Sequence, residues 1–119
     1  MPGPLYGSTS SRRVTIHDLA QAKLSGDRWP MITSYDALTA GLFDAAGFPV
    51  LLVGDSYGMV VLGHENTLAL TVDELIPAVA AVARSSHRAM VVAYKMAPAT
   101  TMPNDTMRWD DTNQGLSLV

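Results

Sequence analysis

Three short apolar segments, separated by stretches with helical spacing, constrain the fold of this chain most strongly. They are MITS at residues 31–34, PVLLVGD at 49–55 and AMVVAY at 89–94. The second segment is apolar on both faces, as is typical of a parallel strand that is covered on each side. The order strand, helix, strand, loop with helix, strand is that of right-handed parallel βα units, so the sequence predicts an α/β fold.

Capping residues predict where the first two helices begin and end. A first helix is predicted to begin after Thr15 and to end at Gly26, because threonine caps helix starts and glycine adopts the left-handed conformation that ends helices. Either Ser34 or Asp36 can cap the second helix. Gly47 is the predicted end of that helix.

The third helix has the clearest predicted start. Residues 56–69 are punctuated by glycine and are predicted to form a loop. Thr71 and Glu74, which follow, have the spacing of a capping box. Pro77 lies inside the predicted helix. Because proline lacks the N–H that would donate to the Asp73 carbonyl, we expect a bend there.

The two ends of the chain do not follow the βα pattern. Residues 1–13 contain Pro, Gly and Ser ahead of two arginines, which predicts a disordered lead and not a secretory signal. From Lys95 onward the sequence has the period of neither a strand nor a helix. We therefore expect a lead at 1–13, an α/β domain at 14–94 and a divergent tail at 95–119.

Composition excludes several kinds of partner. The chain has 8 Lys and Arg against 11 Asp and Glu, and its net charge of −3 carries no basic stripe for nucleic acid. Its apolar stretches are much shorter than a membrane span. The absence of cysteine rules out disulfides and thiolate metal sites. We expect a cytoplasmic protein with no nucleic-acid or membrane partner.

Asp55 directly follows the second apolar strand, between Gly54 and Ser56. In parallel α/β proteins, ligands bind beyond the carboxyl ends of the strands. Mg²⁺ prefers oxygen ligands and takes one or two protein carboxylates, with substrate and water completing its shell. Two interpretations of Asp55 stay open from the residues alone. It is either a metal- and ligand-binding residue or a loop carboxylate that accepts local N–H groups.

A long motif surrounds Asp55. It reads G-D-S-x-G-M-x-x-x-G-H from Gly54 and continues as T-x-x-x-T-V-x-E-L from Thr67. With VTIHDL and MITSYDALTAGLFDAAG before it and PAVAAVAR after it, residues 14–93 resemble the amino-terminal part of the ketopantoate hydroxymethyltransferase family. The resemblance implies the first βα units of a (β/α)₈ TIM barrel, so that residues 14–94 form an incomplete barrel domain.

The resemblance also implies a reaction. Enzymes of the family use Mg²⁺ and 5,10-methylenetetrahydrofolate to add a hydroxymethyl group to 3-methyl-2-oxobutanoate, in pantothenate biosynthesis, and are usually homodecamers. Asp55 matches the family's first magnesium ligand, and Asp55 with Ser56 matches a stretch that contacts the 2-oxo acid. No catalytic residue is assigned, because the family's general base matches no residue of this chain.

One position departs from the family and suggests an inactive chain. Tyr94 stands where the resemblance places a second magnesium-binding aspartate, and a neutral phenol does not replace a carboxylate for Mg²⁺. We therefore expect no activity and no normal decamer from this chain alone. A frameshifted, mispredicted or alternatively terminated reading frame would each explain why the resemblance stops here.

Two alternative functions and three side chains stay open. The chain is alternatively a non-catalytic truncated protomer that acts as an interaction module, or a barrel enzyme of the isocitrate-lyase and phosphoenolpyruvate-mutase type. For His64 we favour hydrogen bonding or packing over catalysis. For Asp36 we favour helix capping over a role at the strand ends. Tyr35 ends the first strand and could reach the same edge as Asp55, and its role stays open.

Overall fold

The computed structural model of the chain describes residues 4–8, 10–96, 107–109 and 116–118. In chain order the elements are α1 Ile16–Ser25, β1 Met31–Thr33, α2 Ala37–Ala45, β2 Val50–Val53, α3 Tyr57–Val60, a 3₁₀ turn Thr67–Ala69, α4 Val72–Ser85, β3 Met90–Ala93, β4 Met107–Trp109 and β5 Leu116–Leu118. The first three strands are those predicted from the apolar segments.

The strands β1, β2 and β3 form one parallel sheet in that order. Met31 pairs with Val50, and Val50 in turn pairs with Met90. The central strand β2 is the most buried, with Val50, Leu51 and Val53 almost fully enclosed. The parallel α/β fold is therefore confirmed, and a strand that is apolar on both faces does occupy the middle of the sheet.

The core lies between this sheet and the helices α2 and α4. One face of α4 carries Leu75, Ala78 and Val82, which are buried at the three- and four-residue spacing of a helix. They join Leu51 of β2 and Ala40 of α2 in one hydrophobic cluster. Burial of these aliphatic side chains is what orients α4 against the sheet.

The predicted ends of α1 and the predicted start of α2 are confirmed in detail. Thr15 caps α1 through the backbone N–H of Asp18, and Gly26 ends it with a φ of 74°. Asp36, not Ser34, caps α2, accepting from the Thr39 N–H at 2.8 Å. Ser34 is instead buried. A carboxylate is a stronger acceptor for a free N–H than a hydroxyl is, which explains why Asp36 is the cap.

The start of α4 is also confirmed, since both hydrogen bonds of the Thr71–Glu74 capping box are present. The helix continues through Pro77 for 14 residues, and Pro77 removes one hydrogen bond without ending it. In the described part of the chain, no helix has both the length and the apolar character to cross a membrane.

The segment predicted as a loop at residues 56–69 contains two short helical turns, and that prediction was wrong in detail. α3 spans Tyr57–Val60, and the 3₁₀ turn at Thr67–Ala69 follows. Asn66 caps the second turn, because its side-chain oxygen accepts from the N–H groups of Leu68 and Ala69. Such single turns are too short for a helical period to be visible in the sequence.

The lead at residues 1–13 was expected to be disordered, and its described part is instead held against the domain. The Leu5 N–H donates to Asp27 at 3.1 Å, and the Leu5 carbonyl accepts from Arg88 at 2.7 Å. Gly7 donates to the Gly47 carbonyl at 3.1 Å. These partners lie 22 to 83 residues away in the sequence, so local composition did not indicate them.

The tail was expected at residues 95–119, and most of it lies outside the described residues. Within it, β4 and β5 form an antiparallel pair in which the backbone of Met107 pairs with that of Leu118 and the backbone of Trp109 with that of Leu116. The sequence there showed no strand period, because three-residue strands are too short to display one.

Candidate functional site

The carboxyl ends of the three parallel strands meet at one edge of the sheet. Tyr35 follows β1, Asp55 and Ser56 follow β2, and Tyr94 and Met96 follow β3. We call these five residues the strand-end site. Loops at such an edge converge, so this is where a ligand of a parallel sheet is expected.

Asp55 is the buried carboxylate of the strand-end site, with only 9% of its surface exposed. Its Oδ2 accepts the backbone N–H of Met96 at 3.0 Å. Its backbone carbonyl accepts from Gly58 at 3.0 Å and thereby begins α3. Among the described residues, no hydrogen bond reaches Oδ1. One carboxylate oxygen therefore remains as an acceptor or ligand.

Both interpretations of Asp55 find a counterpart in this arrangement. Asp55 does accept a backbone N–H, as a structural aspartate would, but the donor is Met96, 41 residues away, and not a neighbour in its own turn. The bond joins the end of β2 to the segment after β3. Asp55 thus ties two strand ends together while keeping Oδ1 available.

Ser56 is half-buried beside Asp55 and bonded to a tyrosine from the neighbouring strand end. Its Oγ lies in hydrogen-bond contact with the Tyr35 hydroxyl. The Tyr35 ring packs at a tilt against Tyr57, with ring centroids 5.7 Å apart. The Tyr35 hydroxyl therefore lies at the edge that holds Asp55, in contact with Ser56.

The position after β3 offers little to a cation. The Tyr94 N–H donates to the Val53 carbonyl at 3.0 Å and extends the sheet, while its phenol is partly exposed. Asp36 turns away to cap α2, and hydrogen bonds from the Thr39 N–H and hydroxyl lower the pKa of its carboxyl. In the ranges that the structure covers, no three His, Asp, Glu or Cys side chains cluster as a metal site.

The residues present fit Mg²⁺ as a site with one carboxylate. Asp55 supplies a hard anionic oxygen, and Mg²⁺ commonly uses one or two protein carboxylates together with substrate and water. Tyr94 adds no carboxylate. A bound 2-oxo acid would therefore have to supply further oxygen ligands.

His64 belongs to the packing of the loop and not to the strand-end site. Its Nε2 lies 3.2 Å from Glu74 Oε2, and its backbone N–H donates to the Gly58 carbonyl at 2.8 Å. The N–H of Thr71 and then the contact with His64 lower the pKa of Glu74. A Cβ at Gly58 would lie only 3.1 Å from Leu70. The glycine and histidine of the motif therefore have a packing reason, which supports the hydrogen-bonding interpretation of His64.

Sequence reasoning missed the contacts that connect the strand-end site. The Met96 N–H carries no side-chain signature, so no sequence pattern marks it as the partner of Asp55. The pairing of Tyr35 with Ser56 spans 21 residues and two strands. Only their common position after parallel strands indicated that they would be close.

Comparison with known proteins agrees with this architecture. The sequence model of the family described as ketopantoate hydroxymethyltransferase matches residues 13–108. This match covers the whole parallel sheet and continues beyond Ala93, where the resemblance seen in the motifs ends.

Curated relatives of this chain carry the name 3-methyl-2-oxobutanoate hydroxymethyltransferase. The protein from Thermobifida fusca is 60% identical over 93 residues, which are 77% of this chain and 33% of that protein. That from Streptomyces avermitilis is 52% identical over 88 residues, or 74% and 31% of the two chains. That from Acidothermus cellulolyticus is 57% identical over 82 residues, or 69% and 30%.

The chain spans about a third of the length of these relatives. The family match nevertheless covers most of the chain, including Asp55, Ser56 and all three parallel strands. This chain therefore belongs to the ketopantoate hydroxymethyltransferase family.

Proposed function

We propose that this chain carries the first magnesium-binding and 2-oxo-acid-binding residues of a 3-methyl-2-oxobutanoate hydroxymethyltransferase. The observation that carries the proposal is the buried Asp55, next to Ser56, at the carboxyl end of the central strand of a family-matched sheet. The relatives' names supply the reaction. Membership of their family favours this chemistry over that of the isocitrate-lyase and phosphoenolpyruvate-mutase enzymes.

The strand-end residues have distinct roles in this proposal. Asp55 would hold Mg²⁺ through Oδ1, and the ion, when bound, polarises the carbonyl of the 2-oxo acid. Ser56 donates a hydrogen bond to an oxygen of the acid. The burial of Asp55 strengthens its interaction with a cation, because the surrounding protein screens charge less than water does.

The proposal extends to the co-substrate and the architecture. The hydroxymethyl group would come from 5,10-methylenetetrahydrofolate. Residues 14–94, with the three parallel strands, would form an incomplete (β/α)₈ barrel domain. With Tyr94 in place of a second carboxylate, we expect neither turnover nor the family's homodecamer from this chain. A cytoplasmic setting remains part of the proposal.

The experiment compares the chain with a fusion of residues 1–93 to the remaining two thirds of the Thermobifida fusca relative. The chain alone should give no turnover of 3-methyl-2-oxobutanoate, whereas the fusion should be active with Mg²⁺. Asp55→Asn in the fusion should lower kcat by about 100-fold or more, because a charged ligand is lost from the reacting centre.

Asp36→Asn is the matched control, since Asp36 is a nearby aspartate that caps a helix outside the site. It should leave kcat of the fusion within about threefold of the unsubstituted value. Magnesium-dependent turnover by the 119-residue chain, abolished by Asp55→Ala, would show that the chain is active alone. An active Asp55→Asn fusion would remove the proposed site.

A second candidate function is an interaction module, and one observation favours it. The outer faces of α2 and α4 expose four aliphatic side chains by more than half each, namely Leu38, Leu42, Val72 and Ile76. In each helix the two residues are four apart in sequence, so they lie on the same face of that helix. Apolar surface of this kind marks an interface.

Size-exclusion chromatography tests this candidate. The chain should then co-elute with the full-length Thermobifida fusca relative, and Leu42→Glu with Ile76→Glu should abolish co-elution. A compact monomer that elutes at the same volume with and without the relative would eliminate the interaction module.

A further inference from the structure

The contact between Tyr35 and Ser56 suggests a specific role for a residue outside the family's assigned site. The Tyr35 hydroxyl meets the Ser56 Oγ, and the two residues come from the ends of neighbouring parallel strands. Asp55, whose Oδ1 accepts no hydrogen bond from the described part of the chain, is the residue before Ser56. The hydroxyl pair therefore stands at the position where the proposed 2-oxo acid would bind.

We propose that Tyr35 is a positioning residue for Ser56. Its phenol donates to Ser56 Oγ, and this leaves the single Ser56 proton free to donate to the carboxylate of the 2-oxo acid. The inference rests on the proposed function for the identity of that acid. The hydrogen bond between the two residues does not depend on it.

The donor count is the reason for the proposed direction of the bond. A serine hydroxyl has one proton and can accept two hydrogen bonds, and a phenol likewise has one proton. An anionic ligand offers only acceptors, so Ser56 must keep its proton for the ligand and receive one from Tyr35. A donor that itself accepts a hydrogen bond is polarised and donates more strongly.

The alternative is that Tyr35 matters only through its ring. The ring packs against Tyr57 and against the hydrophobic core, and phenylalanine would preserve both contacts. The two roles therefore separate in Tyr35→Phe, which removes the hydroxyl and keeps the ring.

The first experiment is a double-mutant cycle in the 119-residue chain. Urea unfolding is measured for Tyr35→Phe, Ser56→Ala and the double variant. Each single change should raise the unfolding equilibrium constant by about fivefold, and the double variant should be no less stable than the less stable single variant, because both changes remove the same bond. Tyr57→Phe, combined with Ser56→Ala, is the control and should show no such coupling.

Additive losses in the cycle, or no loss for Tyr35→Phe, would overturn the positioning role. A ring-only role predicts that second result. Because no ligand is present, this outcome is independent of whether the proposed function is correct.

The second experiment titrates the chain with 3-methyl-2-oxobutanoate and Mg²⁺ at constant ionic strength while NMR follows the Ser56 side chain. The Ser56 signals should shift in the unsubstituted chain and at least about fivefold less in Tyr35→Phe. The ketone 3-methylbutan-2-one, which lacks the carboxylate, should leave them unchanged.

The outcomes separate the positioning role of Tyr35 from the proposed binding of the 2-oxo acid. Equal shifts in the unsubstituted chain and in Tyr35→Phe overturn the positioning role while the acid site stands. No shift in the unsubstituted chain overturns the acid site of the proposed function and, with it, the donor role of Ser56. A coupled cycle together with a reduced shift in Tyr35→Phe supports the whole inference.

Discussion

Asp44 and Asp55 are aspartates at opposite edges of the same sheet, and they use their oxygens differently. At the amino-terminal end of β3, Asp44 accepts the backbone N–H groups of His87, Arg88 and Ala89 at 2.7 to 3.0 Å. The side chain of Asp55, at the carboxyl end of β2, accepts the Met96 N–H and no other hydrogen bond from the residues that the structure describes. Both oxygens of Asp44 accept backbone N–H groups, whereas Oδ1 of Asp55 is the oxygen that would bind the proposed ligand.

The electrostatics of Asp44 agree with a structural role. Burial of the carboxyl raises its pKa. The three N–H donors, with a smaller contribution from the charge of His87, lower the pKa by more than burial raises it, so the pKa of Asp44 lies below its usual range. Three donors that converge on one carboxylate stabilise its charged form. The comparison therefore predicts that stability depends on Asp44 and ligand binding on Asp55.

The largest expected effect is that of Asp44→Ala. It leaves three backbone N–H groups at the start of β3 without their acceptor, and we expect a loss of about 3 kcal/mol in the free energy of unfolding. Urea denaturation followed by circular dichroism measures it. Glu65→Ala, which removes an exposed loop carboxylate, is the control. The comparison fails if Asp44→Ala costs no more than Asp55→Ala.

Acid should reveal the same difference through the pH dependence of stability. The pKa of Asp44 in the folded chain lies below the ordinary 3.8, so its contribution is present above that value and is lost as pH falls through the folded pKa. We expect the urea midpoint to fall below about pH 4. Asp44→Asn should show a shallower fall. Identical pH profiles for the two chains would contradict this assignment.

A smaller effect is expected at the other edge of the sheet. Asp55→Asn keeps an oxygen that can accept from Met96 and removes only the charge. The free energy of unfolding should therefore change by less than about 0.5 kcal/mol, as measured by thermal and urea unfolding. A variant that fails to fold would make Asp55 a structural turn residue and would remove the contrast with Asp44.

The smallest expected effect is that of Mg²⁺ on the chain itself. One carboxylate binds the ion too weakly to shift folding by mass action. The melting temperature should change by less than about 1 °C in millimolar Mg²⁺. If it rises by several degrees, and the rise disappears in Asp55→Asn, the chain holds a stronger metal site than a single carboxylate can form.

Local patterns in the sequence determined most of the secondary structure. Thr15, Asp36 and Thr71 cap the helices that their positions predict, because capping bonds connect residues only two or three apart. The buried β2 follows equally from its unbroken apolar run. The motif around Asp55 is specific enough to indicate the family from the sequence alone, since its spacing extends over more than twenty residues.

Only the tertiary structure decided how the strand ends are joined and where the lead lies. The bonds from Met96 to Asp55, from Tyr35 to Ser56 and from Arg88 to Leu5 close sequence separations of 41, 21 and 83 residues. Their geometry depends on how the parallel strands align once α2 and α4 cover the sheet, because the packing of the core offsets the entropy of closing such long loops. No local spacing in the sequence encodes that alignment.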